Sequence, residues 1–319
     1  MKILRITSAT FLNSILDLIF FLRYSGIMGF NSERKLLAAI TFNYHTIEKG
    51  LSMHELRLGF GKEKISKILE RIKQYIAKNY DTEKSQFIAA CSVLLRYYQI
   101  HQESNFDIGS YFKIRDFEII NRYADTEIGG NIYCNSASYF ENNSANYEKF
   151  SKSRHSVRQF SSEKVDTKLI KEAVELAKYC PSACNRQAIN TYYVDSKQTI
   201  DKILKIQRGL DASAKYVNQL LVISADRSHF FTSGERYQHF IDGGIFIQSL
   251  LLALHHKKIA ACPLHWSVNF QKDIALRKVI GYQKSEKVVC LVAIGNIDQS
   301  FKVPFSQRKN LEEIFFTVK

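Results

Sequence analysis

A chain of 319 residues with 45% apolar and 24% charged side chains has the make-up of a globular protein, which excludes a disordered polymer, a collagen-like fibre and a polytopic membrane protein. The length accommodates two domains or one large one. The formal net charge of +14 sits mostly after residue 150 and favours a polyanion, a phosphate-bearing ligand or an anionic membrane face.

At the N-terminus, Phe11-Leu12, Ile15-Leu16 and Leu18-Ile19-Phe20-Phe21-Leu22 form an apolar stretch behind Lys2 and Arg5. Asn13, Ser14 and Asp17 interrupt it, so it falls short of the roughly 20 continuous apolar residues that a spanning helix needs. A helix packed on its own protein, a helix lying on a membrane surface and an uncleaved anchor remain as readings. From Ser32 to Gln99 the pattern is helical. Ile65, Ile68, Leu69, Ile72, Tyr75 and Ile76 recur at steps of three and four, and Phe87, Ala90, Cys91, Leu94 and Tyr97 repeat the spacing. Residues 1–130 are therefore expected to be a helical module, with the basic run Lys62 to Lys84 as a solvated face.

Periodicity stops between Gly129 and Ser151, where Gly, Asn and Ser dominate. This composition suits a linker or long surface loop, placed at 131–150. Residues 151–319 then mix helix and strand signals. A helix is expected through Leu169, Ile170, Ala173, Val174 and Ala177, with Asp166 or Thr167 as N-cap. Strands are expected at Thr191–Val194, Leu220–Ser224 and Val288–Ile294. The nearly all-apolar Ile245–Leu254 is expected to be a helix buried on every side, or the central interface helix of a dimer, with His255 and His256 complementing its dipole.

The chain has neither a G-x-G-x-x-G nor a G-x-x-x-x-G-K-[ST] sequence, and no G-x-S-x-G or H-E-x-x-H. The six cysteines, Cys91, Cys134, Cys180, Cys184, Cys262 and Cys290, form no C-x-x-C pair. A reduced, cytoplasmic chain without a metal site is the reading that follows. Nucleic-acid binding is not expected either, because no basic strip with interleaved aromatics occurs. Two constellations can carry chemistry. In Arg154-His155-Ser156-Val157-Arg158, an extended backbone would put Arg154, Ser156 and Arg158 on one side, where two guanidiniums and a hydroxyl suit a phosphate; a basic surface strand would look the same. Pro181-Ser182-Ala183-Cys184-Asn185-Arg186-Gln187 offers uncharged donors and acceptors for a planar heterocycle, or is an ordinary polar turn.

In order, Arg154-His155-Ser156-Val157-Arg158, Pro181-Ser182-x-x-Asn185-x-Gln187, Asp242-Gly243-Gly244 leading into Gln248-Ser249-Leu250, Cys262-Pro263-Leu264, Ile294-Gly295 and Ser306-x-Arg308 resemble the FMN-dependent nitroreductase family. The resemblance covers about residues 151–319. His45-x-Ile47-Glu48-Lys49-Gly50 and Arg57-x-Gly59-Phe60-Gly61 are similar to an N-terminal extension of nitroreductase-like proteins from polysaccharide gene clusters. The resemblance implies an α+β fold, a mainly antiparallel sheet flanked by helices, and a homodimer with FMN sites between subunits. It also implies NADH or NADPH as electron donor and a small organic acceptor, linked by the second likeness to surface-polysaccharide synthesis.

By the same resemblance, Arg154, Ser156 and Arg308 would hold the FMN phosphate, with His155 in the same cofactor-binding segment, and Arg158 would approach the pyrimidine edge and ribityl chain. Pro181, Ser182, Ala183, Asn185 and Gln187 of the partner subunit would line the ring. Backbone at Pro263, Leu264 and His265 would face the flavin N5. His265 and Trp266 are the candidates for a catalytic part, His265 as proton donor and Trp266 as a wall that narrows the substrate pocket or a cap on its strand. His45, Glu48 and Arg57 could roof the site or serve as packing and capping residues. The chain departs from the family pattern with Ala183 in place of a second Ser, Ala188-Ile189 in place of Pro-Trp, and His265-Trp266 in place of Glu-Gly. The alternative from another class is a flavin-binding, catalytically silent module peripheral to the membrane.

Overall fold

The computed structural model describes residues 11, 12, 14, 15, 17–19, 22, 26–210, 213–230 and 232–318. Lys2, Arg5, Leu16, Phe20 and Phe21 of the N-terminal apolar stretch lie outside the described residues. Two compact units are present. One holds residues 14–133 and 302–319; the other holds residues 1–13 and 134–301.

The first unit is helical, with α1 (Glu33–Leu51), α2 (Lys62–Ala77), α3 (Ser85–Glu103) and α4 (Ile114–Tyr123). The three-and-four spacing of α2 puts Ile65, Ile68, Leu69, Ile72 and Tyr75 into one core with Leu36, Ile40 and Ile47 of α1 and Phe87, Leu94 and Tyr97 of α3. Tyr75 stacks on Phe87 with ring centroids 4.8 Å apart. The Arg57-x-Gly59-Phe60-Gly61 sequence is the turn into α2. Gly59 and Gly61 adopt left-handed φ angles of 71° and 70°, and a Cβ at Gly61 would stand 2.7 Å from Ile47 Cδ1. The turn is pinned from α3, where the buried His101 accepts from Gly59 N–H at 2.8 Å while its Nδ1 donates to the Tyr97 carbonyl at 2.7 Å. Burial pulls the His101 pKa down, which keeps the ring in the neutral form that this donor and acceptor pattern requires.

The segment expected to be a linker is structured. It contains β1 (Asn131–Asn135), α5 (Ser136–Tyr139) and α6 (Tyr147–Ser153), the last two capped by Asn135 and Asn146 side chains. The Asn-rich composition that suggests a loop instead supplies helix caps. After α6 come α7 (Thr167–Ala177), β2 (Ile189–Val194), α8 (Lys197–Gln207), β3 (Gln219–Asp226), α9 (Gln238–His256), β4 (Ala260–His265), α10 (Phe270–Ile280), β5 (Glu286–Gly295) and β6 (Ser300–Pro304). Asp166 is the N-cap of α7, accepting from Lys168 N–H at 2.9 Å. The expected α+β class holds: β2, β3, β5 and β4, in that order, form an antiparallel sheet, while β1 and β6 form a two-stranded one.

α7 and α9 bury Ile170, Ala173, Phe246, Leu250 and Leu254 against Leu221, Ile223, Val292 and Ile294 of the sheet. α9 crosses closely at Gly243, where a Cβ would meet Val289 Cγ2 at 2.8 Å. The helix is not buried all round. Phe240, Ile241 and Ile245 stay exposed along one side, so its apolar surface exceeds what the sheet covers. No described helix is long and apolar enough to cross a membrane.

Candidate cofactor site

Within the sheet-containing unit, residues 154–161 run extended beside the edge strand β4. Val157 N–H donates to the Ala261 carbonyl at 3.1 Å, and Ser161 N–H to the Asn296 carbonyl at 3.0 Å. Burial alternates along the segment: Val157 and Gln159 are buried, whereas Ser156 and Arg158 are partly exposed. The period of two holds over residues 156–159, whereas Arg154 and His155 are both partly exposed and Phe160 is buried after Gln159. Arg158 Nη1 donates to the Ser156 carbonyl at 3.1 Å, which folds its guanidinium back over the segment. His155 is held by its backbone, donating its N–H to Tyr139 Oη at 3.2 Å, while Nδ1 bonds the Ser153 carbonyl at 2.9 Å.

The electrostatics next to this segment are cationic. His255 at the end of α9 is 2% exposed, and its Nε2 lies 2.9 Å from Ser153 Oγ. Burial, reinforced by the Arg154 and His155 charges, pushes its pKa down to about 4. The imidazole is therefore neutral at pH 7 and adds no charge to the C-terminal end of the α9 dipole, contrary to the sequence expectation. Burial raises the Tyr139 phenol to about 12, against the opposing effects of the His155 backbone and the Arg154 charge. A phosphate dianion fits this donor set, because two guanidiniums and a hydroxyl match its charge and its acceptor oxygens.

The second constellation is a strained loop held from both sides. Cys184, Asn185 and Gln187 have φ angles of 52°, 53° and 50°, a left-handed conformation costly for residues with a Cβ. The buried Asp242 of α9 fastens the loop by accepting from Ala183 N–H at 3.2 Å, and Gln238 Nε2 orients that carboxylate at 2.7 Å. On the other side Arg186 reaches the Ala183 carbonyl at 3.0 Å, the His229 carbonyl at 2.9 Å and the Glu235 carboxylate. Asn185 and Gln187 remain exposed, joined by an Nε2 to Oδ1 bond of 3.1 Å, while Ser182 Oγ accepts from Gln187 N–H at 3.2 Å. Pro181 is exposed and Ala183 partly exposed. Asp242 and Arg186 thus position the loop, a role that their place in the sequence does not announce.

The Cys262-Pro263-Leu264 motif lies on β4, paired to Ala293, Val292 and Leu291 of β5. Pro263 lacks an N–H and is tolerated because the strand is at the edge. His265 ends the strand with an exposed side chain, and its carbonyl accepts from Gln207 Nε2 at 3.1 Å. Of the two readings of Trp266, a wall of the substrate pocket or a cap on its strand, the structure matches the cap. The indole is 7% exposed and donates to Asp273 Oδ1 at 2.6 Å, so the side chain caps the end of the strand from within the protein.

The sheet separates the two constellations. Residues 154–158 follow the β4 edge, whereas Ser182–Gln187 leads into β2 at the opposite edge. Three strand spacings, about 14 Å, lie between β4 and β2. The loop itself is fastened to Asp242 of α9, one residue before Gly243, which packs on Val289 of β5.

Arg308 belongs to the helical unit. Its Nη1 donates to the Ser306 carbonyl at 2.7 Å, and Ser306 has a left-handed φ of 55°. The fully buried Glu48 carboxylate accepts from Ser306 N–H at 3.1 Å and lies 3.0 Å from His45 Nδ1. Gln86 donates to the Gln307 carbonyl at 3.0 Å and accepts from Tyr44 Oη at 2.6 Å. His45 and Glu48 thus belong to a network that fixes the Ser306-x-Arg308 backbone.

The nitroreductase family model matches residues 151–243 and 221–296. No curated protein matches the chain. Similar solved structures include a Clostridium acetobutylicum protein carrying the name of an NADH oxidase, at 20% identity and a TM-score of 0.45, covering 52% of this chain and 97% of that one. An FMN-dependent nitroreductase of Clostridium difficile R20291 has 18% identity and a TM-score of 0.42, covering 52% and 92%. A Staphylococcus epidermidis protein carrying the name of an NAD(P)H:FMN oxidoreductase has 16% identity and a TM-score of 0.48, covering 55% and 96%.

Proposed function

We propose, from the premise that the C-terminal half of this chain is a nitroreductase-family domain, that the protein is a homodimeric oxidoreductase with FMN as cofactor, NAD(P)H as electron donor and a small organic molecule as acceptor. When bound, FMN supplies reversible hydride and electron transfer. The observation that supports the reading is the alternation over residues 156–159, where Ser156 and Arg158 stay partly exposed while Val157 and Gln159 are buried, with the Arg154 charge felt at His255 and Tyr139.

Arg154, Ser156 and Arg158 bind the phosphate end and the polar edge of the cofactor. Arg308 is assigned to the same phosphate on the strength of the Ser306-x-Arg308 motif alone. The strained loop presents Ser182, Asn185 and Gln187 to a ring, which we assign, by the family resemblance, to the site of a second copy. The exposed Phe240, Ile241 and Ile245 of α9 give that second copy an apolar surface to bury. Backbone of Pro263 to His265 faces the ring edge. The exposed His265 imidazole supplies a proton to the acceptor, while Trp266 keeps the end of β4 in place through Asp273.

The test is direct. The purified chain should be yellow, release FMN on heating and bleach under NADH or NADPH without oxygen. A colourless protein that takes up no FMN would refute the reading, whereas a yellow protein that no nicotinamide bleaches would support the catalytically silent alternative.

A further inference from the structure

We propose that the helical unit carries a docking surface for an anionic lipid membrane, formed by a basic groove between α1 and α2 and by the exposed apolar stripe that precedes it. The groove has a volume of about 700 Å³ and is lined by Arg34, Lys35, Lys64, Lys67 and Arg71, together with the rings of Phe30 and Phe42. The lining contains no carboxylate. Arg71 lies over the Phe30 ring at 4.6 Å and Lys64 over the Phe42 ring at 5.6 Å, so two of the cations are held beside apolar rings. Phe42 is itself 71% exposed.

The second observation is independent of charge. Ile15, Leu18, Ile19 and Leu22 are all exposed, Leu18 by 56% and Ile19 by 51%. Their spacing places them on one side of a helical segment. The short turn that follows supplies Gly26 to the groove and carries the 76% exposed Met28. A nucleic acid or a soluble polyphosphate would use the cations and leave the stripe in water. A bilayer with anionic headgroups uses both, the headgroups in the groove and the acyl boundary against the stripe.

Flotation of the full-length protein with vesicles tests this. Vesicles of phosphatidylcholine containing phosphatidylglycerol should carry the protein, and vesicles of phosphatidylcholine alone should carry much less. Raising salt should weaken binding. In the Lys64→Glu/Lys67→Glu variant the partition coefficient should fall at least 25-fold, since each cation lost near an anionic surface is worth about fivefold. Leu18→Ser/Ile19→Ser should lower it as well, with far-ultraviolet circular dichroism unchanged in both variants. Equal binding to both kinds of vesicle, or none to either, overturns the proposal. So does binding that survives both pairs of substitutions, or duplex DNA or inorganic polyphosphate bound more tightly than anionic vesicles and indifferent to Leu18→Ser/Ile19→Ser.

Discussion

At the scale of single residues, the proposed cofactor site depends on charges placed where no covalent chemistry is needed. Arg154→Ala should weaken FMN binding tenfold or more in a fluorescence titration, because losing one partner of a charged hydrogen bond costs about 1.5–3 kcal/mol. Arg308→Ala should act in the same direction; undiminished affinity in either variant contradicts that assignment. Glu48 shows how a residue remote in sequence sets up such a charge. Its buried carboxylate accepts the N–H of Ser306, whose carbonyl in turn holds the Arg308 guanidinium. Glu48→Ala leaves Ser306 N–H without that acceptor and should cost about 1–3 kcal/mol in chemical denaturation. His255 predicts a pH dependence with a definite sign. Its folded pKa of about 4 lies below the ordinary value of 6.5, so the unfolded chain binds the extra proton first. The stability gained from the neutral ring is full above pH 6.5 and is lost as pH falls toward 4. His255→Gln should flatten urea stability over that window; an unchanged acid slope would show that His255 is not the group responsible.

At the scale of elements, the loop after α7 behaves as a preset surface. Three residues with left-handed φ are maintained by Asp242 on one side and Arg186 on the other. Asp242→Ala should relax the loop and lower flavin affinity while leaving the sheet intact, read as a raised FMN dissociation constant with unchanged circular dichroism. The sequence reveals β2, β3 and β5 because they are runs of Val, Ile, Leu and Tyr. It hides β4, whose Ala-Ala-Cys-Pro-Leu-His has no β-branched residue and carries a proline that only an edge strand accepts. The helical unit is legible from the spacing of Ile65 to Tyr75. The Asn-rich segment before α6 is not, since asparagine marks helix caps as well as loops. The alternation of Ser156 and Arg158 with the buried Val157 and Gln159 is legible, whereas the loop strain is not, because Cys184, Asn185 and Gln187 are not glycines. The Asp242 anchor is hidden by its 59-residue separation from Ala183, and the inward turn of Trp266 by its dependence on Asp273.

At the scale of the whole molecule, the proposed function requires a second copy to complete the site. In one chain residues 154–158 run beside β4 and residues 182–187 lead into β2, the two edge strands of a four-stranded sheet, and α9 exposes apolar residues. Placing a charge on that helix with Ile241→Arg should yield a monomer in sedimentation that retains little FMN, whereas a flavin-loaded monomer would show that one chain suffices. Most direct is a mixing experiment with two inactive variants, Arg154→Ala and the double variant Ser182→Ala/Asn185→Ala, each purified alone and then unfolded and refolded together. If each site takes its arginines from one chain and its loop from the other, the mixed dimer has one doubly damaged site and one wholly intact site, and FMN-dependent NAD(P)H oxidation should reappear. If activity stays absent although mixed dimers are demonstrated by mass, the two groups act within a single chain and the account is contradicted.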